Sequence, residues 1–477
     1  MRSTRDTQGS LFHQRCTLKV TDDFQKKYIA ISDILDATPA ILELVAADLA
    51  AVVASENKAA EREGRKGKYT AENAFRGVLL HFLEGESLRR TVVLIDISPF
   101  LQWFTRINHG PTMDFTTLDR FKNAIGPETW TEVNRLLGVY ALAEGKITGE
   151  QLRVDTTAFE TNIHYPTDSS LLFDTYRVLA RIVDRIRQVD PELVGNRRLQ
   201  LGKAKADHVW LARHASRKGT SSPSVQKRYS ALISRVEAIL AWCAEIAERL
   251  KAATNSKRSS VAASLVGSPL IRQMKEVREL GGRVVSQTRR RVLEGEQVPA
   301  AEKIYSIFEP HTELLKRGKA GKPIEFGHMV FLQQTAEKFI TEFETFEKRP
   351  VEYNLIDPAL ERHKRLFDQL PSVLAADKAS YESVEKLKEL EKKIPLVAIA
   401  KLGSKTEDQK KRESSLPFKL GQAFRAGIEG SISFLKRALR MCRCFYKGWE
   451  HYRAAVGAIV VAHNLLILAR GGGSLAH

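Results

Sequence analysis

QLRVDTTAFETNI (151–163) is the stretch on which the reading of this chain turns. It alternates and is rich in Thr, Val and Ile, the pattern of a β-strand, while the sequence on both sides reads as helix. Upstream, ISDILDATPAILELVAADLAAVVA (31–54) and AENAFRGVLLHFLEGESLRRTVVLI (71–95) carry apolar residues at helical spacing, with a polar, basic joint at 56–69 between them. Thr116 or Thr117 is placed to cap a further helix, and Pro127 to open the next. Short helices with tight joints suit a helix-turn-helix-like DNA-binding unit, and an all-helical dimerisation or packing unit equally well. Downstream, SLLFDTYRVLARIVDRIRQV (170–189) and YSALISRVEAILAWCAEIAERL (229–250) predict long helices that pack together.

Strand texture returns at KIYSIF (303–308) and FGHMVFLQQ (326–334), which together suggest a hairpin, then at SVLAAD (372–377) and PLVAIAKL (395–402). Helices are expected over 335–348, 381–393 and 419–446, and again through HYRAAVGAIVVAHNLLILA (451–469). Strands in two places around a long helical block predict an α/β fold: one mixed sheet flanked by helices, with a helical insertion after its first strand. The expected division is a helical N-terminal domain over 1–145, the α/β domain over 146–164 and 300–470, the insertion over 165–299 and a disordered tail at 471–477.

Lys and Arg outnumber Asp and Glu by 75 to 57, a formal net charge of +18 over 477 residues. Such an excess attracts polyanions and makes nucleic acid the first partner to consider. Four cysteines, unevenly spaced, make no disulfide framework, and Cys442 and Cys444 have no second pair to complete a zinc site. The start lacks the apolar stretch of a secretory signal, and no run of about 18 apolar residues is evident. The expectation is a soluble, cytoplasmic protein. Walker, nucleophile-elbow and dinucleotide-binding patterns are missing from the sequence.

Three acids stand out by position. Asp155 lies within the first expected strand, Asp377 ends the short run LAAD, and Glu429 sits in the helix FRAGIEGSISFLKR (424–437). Acids at the ends of buried strands face the rim where α/β sheets hold ligands, although a lone Asp there is more often a turn or helix cap. Around the helix, Arg425, Glu429 and Lys436 fall within a narrow stripe, because four residues advance about 400° and seven about 700°. On one long helix, Arg443 and Lys447 would continue that stripe, beside an apolar stripe of Ile428, Ile432, Leu435, Leu439 and Cys442. An exposed Arg–Glu pair at this spacing is also a common surface ion pair. The conjunction of the three acids is what distinguishes this chain.

Arg425-x3-Glu429-x6-Lys436, with VDTT around Asp155 and LAAD around Asp377, resembles the signature of bacterial insertion-sequence transposases of the Asp-Asp-Glu superfamily. RVDTTAFETNIHYPTDSSLL, IFEPHTELLKRGKAGKPIEFGH and YKGWEHYRAAVGAIVVAHNLL are most similar to its ISNCY-type branch, and the likeness runs from about 70 to 470. Gln422 stands where many relatives carry Tyr. The resemblance implies a ribonuclease H-like catalytic domain whose first strand carries Asp155, whose fourth ends at Asp377 and whose later helix carries Glu429. It implies two Mg²⁺ ions, with Mn²⁺ as a substitute, held by these carboxylates for phosphoryl transfer on DNA. Arg425, Lys436 and Arg443 would grip phosphates near the cut. Two basic clusters are candidate contacts to double-stranded DNA: Arg197, Arg198, Lys203, Lys205, Arg213, Arg217 and Lys218, and then Lys316, Arg317, Lys319 and Lys322. The expected protein is a nucleoid-associated homodimer or higher oligomer. A catalytically inactive DNA-binding regulator and a nuclease without strand transfer are the alternatives. Glu160, Asp168, Glu309, Glu313 and Glu325 read as structural or solvated, and His164, His311 and His328 share no ligand spacing.

Overall fold

The computed structural model describes residues 18–62, 69–107, 112–255, 268–316 and 323–470. The expected tail and the basic residues Arg317, Lys319 and Lys322 lie outside them. The first helical stretch is two helices, α1 (Lys19–Ala37) and α2 (Pro39–Arg62). Proline disfavours helical backbone in the residue before it, and Thr38 accordingly leaves the helix at φ −121°, ψ 65°. The next stretch also divides. α3 (Ala71–Glu84) opens on a Thr70–Asn73 capping box and stops at left-handed Gly85, before α4 (Leu88–Ile97) and α5 (Pro99–Phe104). Asp114, rather than Thr116 or Thr117, caps α6 (Phe115–Ala124) by accepting the Thr116 N–H, and Pro127 opens α7 (Pro127–Ala143).

The strand β1 spans Gln151–Thr161. Residues 161–327 then form one compact unit. In it α8 (Asp168–Val189), α9 (Pro191–Val194), α10 (Leu201–Lys218), α11 (Pro223–Asn255) and α12 (Pro269–Thr288) close around Leu172, Val183, Leu232, Val236, Cys243 and Met274. α10 is tied to α11 by buried Asp207, whose carboxylate meets Arg228 at 2.7 Å and Arg235 at 3.1 Å. KIYSIF is not a strand. The Gln287 side chain holds both the N–H and the carbonyl of Ile304, and Ser306 accepts from the backbone of Phe308 and Glu309, so local side chains satisfy the backbone that a ladder would have used. The hairpin forms further on, between β2 (Glu313–Lys316) and the start of β3 (Ile324–Thr335).

The other unit comprises 1–160 with 328–477. β3 continues in it and turns into β4 (Ile340–Thr345), in place of the helix expected over 335–348; ITEFET alternates as a strand does, and its register to β3 runs from Val330↔Thr345 to Gln334↔Ile340. Asn134 of α7 and the Asn464 side chain hold the Ile340 backbone, satisfying an edge that would otherwise be bare. There follow α13 (Ile356–Phe367), β5 (Val373–Ala375), α14 (Val384–Lys393), β6 (Leu396–Ala398), α15 (Glu407–Ser414), α16 (Leu416–Arg437), β7 (Arg443–Cys444) and α17 (Trp449–Ala469). The seven-stranded sheet runs β2-β3-β1-β5-β6, with β4 also on β3 and β7 on β1. β1, β5 and β6 are parallel while β3 pairs antiparallel with β2 and β4, so the fold is mixed α/β.

Three expectations change here. The boundary near 145 does not separate a domain, because Leu79, Leu118 and Trp130 of the N-terminal helices share one core with Val330, Ile428 and Val456. The insertion extends to 161–327 and takes the β2 hairpin with it. The helix expected to reach 446 ends at Arg437: Arg440 is left-handed at φ 59°, and the chain re-enters the sheet at β7. α17 is long and apolar enough to cross a membrane, with its charged Glu450 and Arg453 confined to its start, yet 89% of its most apolar window is buried inside the protein. It is a core helix, packed against α1, α3 and α7.

Candidate functional site

Parallel pairing fixes the first two acids. Gln151 lies opposite Val373, Leu152 opposite Leu374 and Arg153 opposite Ala375. The same offset, carried two residues on, brings Asp155 level with Asp377, which caps the turn beyond β5 by accepting the Lys378 N–H at 2.6 Å. Neighbouring strands lie about 4.8 Å apart, so the two acids emerge side by side at one sheet rim.

α16 covers this face, and small residues let it come close. A Cβ on Gly421 would stand 2.5 Å from the Ala398 Cβ. Buried Arg153 is clamped beneath the helix: its Nε donates to Gln334 Oε1 at 2.9 Å, its Nη1 to the Phe424 carbonyl at 2.9 Å, and its guanidinium lies 4.8 Å from the Phe424 ring centre. Gln422 Nε2 donates to the Ala398 carbonyl at 2.5 Å and reaches the Ala376 carbonyl at 3.4 Å.

Arg425 connects the remaining acids. Its Nη1 is 3.7 Å from Asp155 Oδ2, and its Nη2 donates to Glu429 Oε1 at 2.7 Å. Asp155 Oδ1 accepts the Thr156 N–H at 2.7 Å. Burial raises the Asp155 carboxyl to about 6; the charges of Asp377 and Glu352 add to the rise, while the Thr156 N–H and Arg425 oppose it. Glu352, on the single turn Glu352–Leu355 that packs against the Asp377 turn, is an acid that no sequence pattern singles out. Nothing local marks it, since its nearness to Asp155 comes only from folding.

Asp155 and Glu429 therefore share the Arg425 side chain, and Asp377 acts on Asp155 through its charge, although the described residues contain no three His, Cys, Asp or Glu already gathered as a metal cage. The donor set nevertheless suits a hard cation. It is all carboxylate oxygen, and its buried member is short of positive charge, which Arg425 supplies only in part.

Other expected residues distribute differently. Lys436 stays on α16, half-buried and on the same helical stripe as Glu429. Arg443 does not continue that stripe: on β7 it pairs with Glu160 Oε2 at 3.4 Å. α10 buries Ala204, Asp207 and Leu211 and leaves Lys203, Lys205, Arg213 and Arg217 exposed; Lys218 ends the same helix. Arg198 is exposed, Arg197 pairs with Glu245 at 2.9 Å, and Lys316 lies exposed at the end of β2. Asp168 is buried against Arg291 at 3.0 Å, and Glu309 against His311 at 2.9 Å, both structural pairs. His328 is buried with Nδ1 against the Phe346 carbonyl, and His164 lies 3.3 Å from Asp174.

Compared with protein-family models, curated proteins and solved structures, the chain matches none.

Proposed function

We propose that this protein is a transposase of the Asp-Asp-Glu type, which cuts DNA at the ends of its element and joins the freed 3′-hydroxyls to target DNA. The observation that carries the reading is the β1–β5 register, which sets Asp155 beside Asp377 beneath the helix that bears Arg425 and Glu429. A ribonuclease H-like sheet is the finer fold proposed. With β2 counted in the inserted helical unit, β1 is the first strand and β5 the fourth, as that fold requires of the two aspartates.

Asp155, Asp377 and Glu429 would hold two Mg²⁺ or Mn²⁺ ions, which supply charge stabilisation to the attacking and leaving oxygens of an in-line displacement. The protein's own groups set the stage for this. Arg153, locked by Gln334 and the Phe424 carbonyl, fixes α16 on the sheet and so fixes the height of Glu429 above the two aspartates. Arg425 offsets part of the Asp155 charge and restrains Glu429, and its guanidinium would lie within reach of a DNA phosphate beside the cut. Lys436 lies on the same stripe for a second phosphate. The exposed basic face of α10 offers sequence-independent contacts to double-stranded DNA. A homodimer on paired element ends, in the bacterial cytoplasm, is the working form proposed.

The test uses labelled element-end DNA, a target plasmid and Mg²⁺. Joined product supports the transposase. Nicking without joining would make the protein a metal-dependent nuclease, and binding alone an inactive regulator on the same scaffold.

A further inference from the structure

Two of the three elements that carry the acids, β1 and α16, run into a second feature. Four residues beyond Asp155, Phe159 of β1 reaches the wall of a cavity of about 370 Å³, and Leu439, just past the end of α16, forms another part of it. At about 3.3 Å per strand residue, Phe159 lies about 13 Å from Asp155, roughly four base-pair steps of B-form DNA at about 3.4 Å each.

The walls are aromatic, and the lining carries the cations Lys122, Arg440 and Arg443 with the acids Glu86 and Asp119, Lys122 being held by Asp119 at 2.7 Å. Phe82 and Tyr446 line the interior, with their ring centres 6.0 Å apart. Phe445, at the mouth, is 64% exposed, an arrangement that core packing does not explain. Inside, the Tyr446 hydroxyl and His81 Nε2 are 2.7 Å apart, and Lys122 Nζ stands 3.8 Å from the Tyr446 ring centre. His81 is held neutral, its pKa lowered to about 3 by burial and by Lys122 and Arg440, so it offers a polar edge rather than a charge. At the rim, Arg440 is 3.7 Å from Glu86 and Arg443 is 3.4 Å from Glu160, with both arginines about half exposed. The Arg440–Glu86 pair is long and open to solvent, so it is weak and can exchange for a phosphate, and the long side chain of half-exposed Arg443 lets it turn from Glu160 to the same phosphate. Arg440 holds its side chain there from a left-handed backbone that few residues other than glycine adopt.

A cavity of this size holds a small ring system, and its aromatic walls with the two half-exposed arginines, Arg440 and Arg443, suit a flat base joined to a phosphate. A base enters such a space only after leaving the stack. We infer that the cavity takes one unpaired nucleotide of the bound DNA, its base against Phe445, Tyr446 and Phe82 and its phosphate on Arg440 and Arg443. The inference rests on the DNA reading above and adds where the strand beside the cut is gripped.

The test compares two fluorescein-labelled DNAs of one sequence, a blunt duplex and the same duplex with a single unpaired thymidine, titrated with the full chain by anisotropy. The unpaired probe should bind more tightly by on the order of tenfold, the scale of one base stacked on aromatic side chains. In Phe445→Ala, whose exposed ring contributes little to folding, that ratio should fall toward one while thermal melting is unchanged. Replacing the unpaired thymidine with 5-iodouracil should give a photo-crosslink that maps to Phe445 or Tyr446. Equal binding of the two probes by the wild-type chain, or a preference that survives both Phe445→Ala and Arg440→Gly, overturns the inference. If equal binding accompanies metal-dependent nicking, the cavity inference alone falls. If neither probe binds at low salt, the transposase reading falls with it.

Discussion

The two faces of β1, β5 and β6 follow opposite rules. On one, Leu152, Val154, Leu374, Ala376 and Val397 are buried with Leu360 of α13 and Leu390 of α14 in an apolar layer. On the other, Arg153 and Asp155 of β1 lie beneath α16, held by hydrogen bonds and ion pairs at fixed distances. Strand geometry alone produces the contrast, because alternate residues leave opposite faces. The apolar face makes the sheet stable, and the charged face uses that stability to hold like charges together. Substitutions on the two faces should therefore fail in different ways.

The largest effect is expected on the charged face. Asp155→Asn, Asp377→Asn and Glu429→Gln should each lower Mg²⁺-dependent cutting by at least on the order of 10²-fold, the scale of losing one charge partner of a transition state. Filter binding to element-end DNA should stay near wild type. Near-normal cutting by any of the three would remove that residue from the site. On the apolar face, Leu374→Ala should do the reverse: it empties a fully buried position and should cost about 2–5 kcal/mol in chemical denaturation, while the folded fraction keeps its cutting rate per molecule.

The sharpest contrast is one of sign. Burial raises the Asp155 carboxyl from its ordinary 3.8 to about 6. A raised carboxyl favours the folded state only while it is protonated. That contribution is complete below about pH 4, declines as pH rises and is gone above about pH 6. Metal-free Asp155→Asn escapes the penalty of burying the charge. At pH 7.5 it should therefore be more stable than wild type, by up to about 3 kcal/mol, because a tenfold change in proton affinity corresponds to roughly 1.4 kcal/mol. Near pH 4 the two proteins should melt alike. Mg²⁺ should raise the melting temperature of the wild type and leave that of the variant nearly unmoved. A variant less stable than wild type at pH 7.5 would mean that Arg425 already satisfies Asp155.

What can be read in the sequence follows from how local each signal is. β1, β5 and β6 announce themselves by short β-branched and apolar runs, and the Arg425–Glu429 pair needs only helical periodicity. The end of α16 is not legible, because the apolar stripe continues through Leu439 while the helix stops at Arg437, before the left-handed Arg440. Arg153 stands beside Asp155 in the sequence, yet its importance comes from Gln334 and Phe424, residues remote in the chain. The shared core of the N-terminal helices with the sheet is equally nonlocal: amphipathic helices disclose an apolar face but not what will cover it.

Gln422 gives the smallest and most discriminating test. Its amide bridges the carbonyls of Ala376, just past the end of β5, and Ala398, the last residue of β6, and Ala376 immediately precedes Asp377. A side chain that closes the ends of two strands positions an acid without touching substrate. Gln422→Ala should cost about 1 kcal/mol of stability, the scale of one such hydrogen-bonded amide. If Asp377 is held through this bridge, cutting should also fall, with a lower kcat and an unchanged KM for DNA, and Gln422→Glu, protonated at low pH, should recover part of the loss there. A variant that loses stability but keeps kcat would show that the rim of the charged face is rigid without Gln422, and that Arg153 and the close approach of Gly421 suffice to hold α16 over the acids.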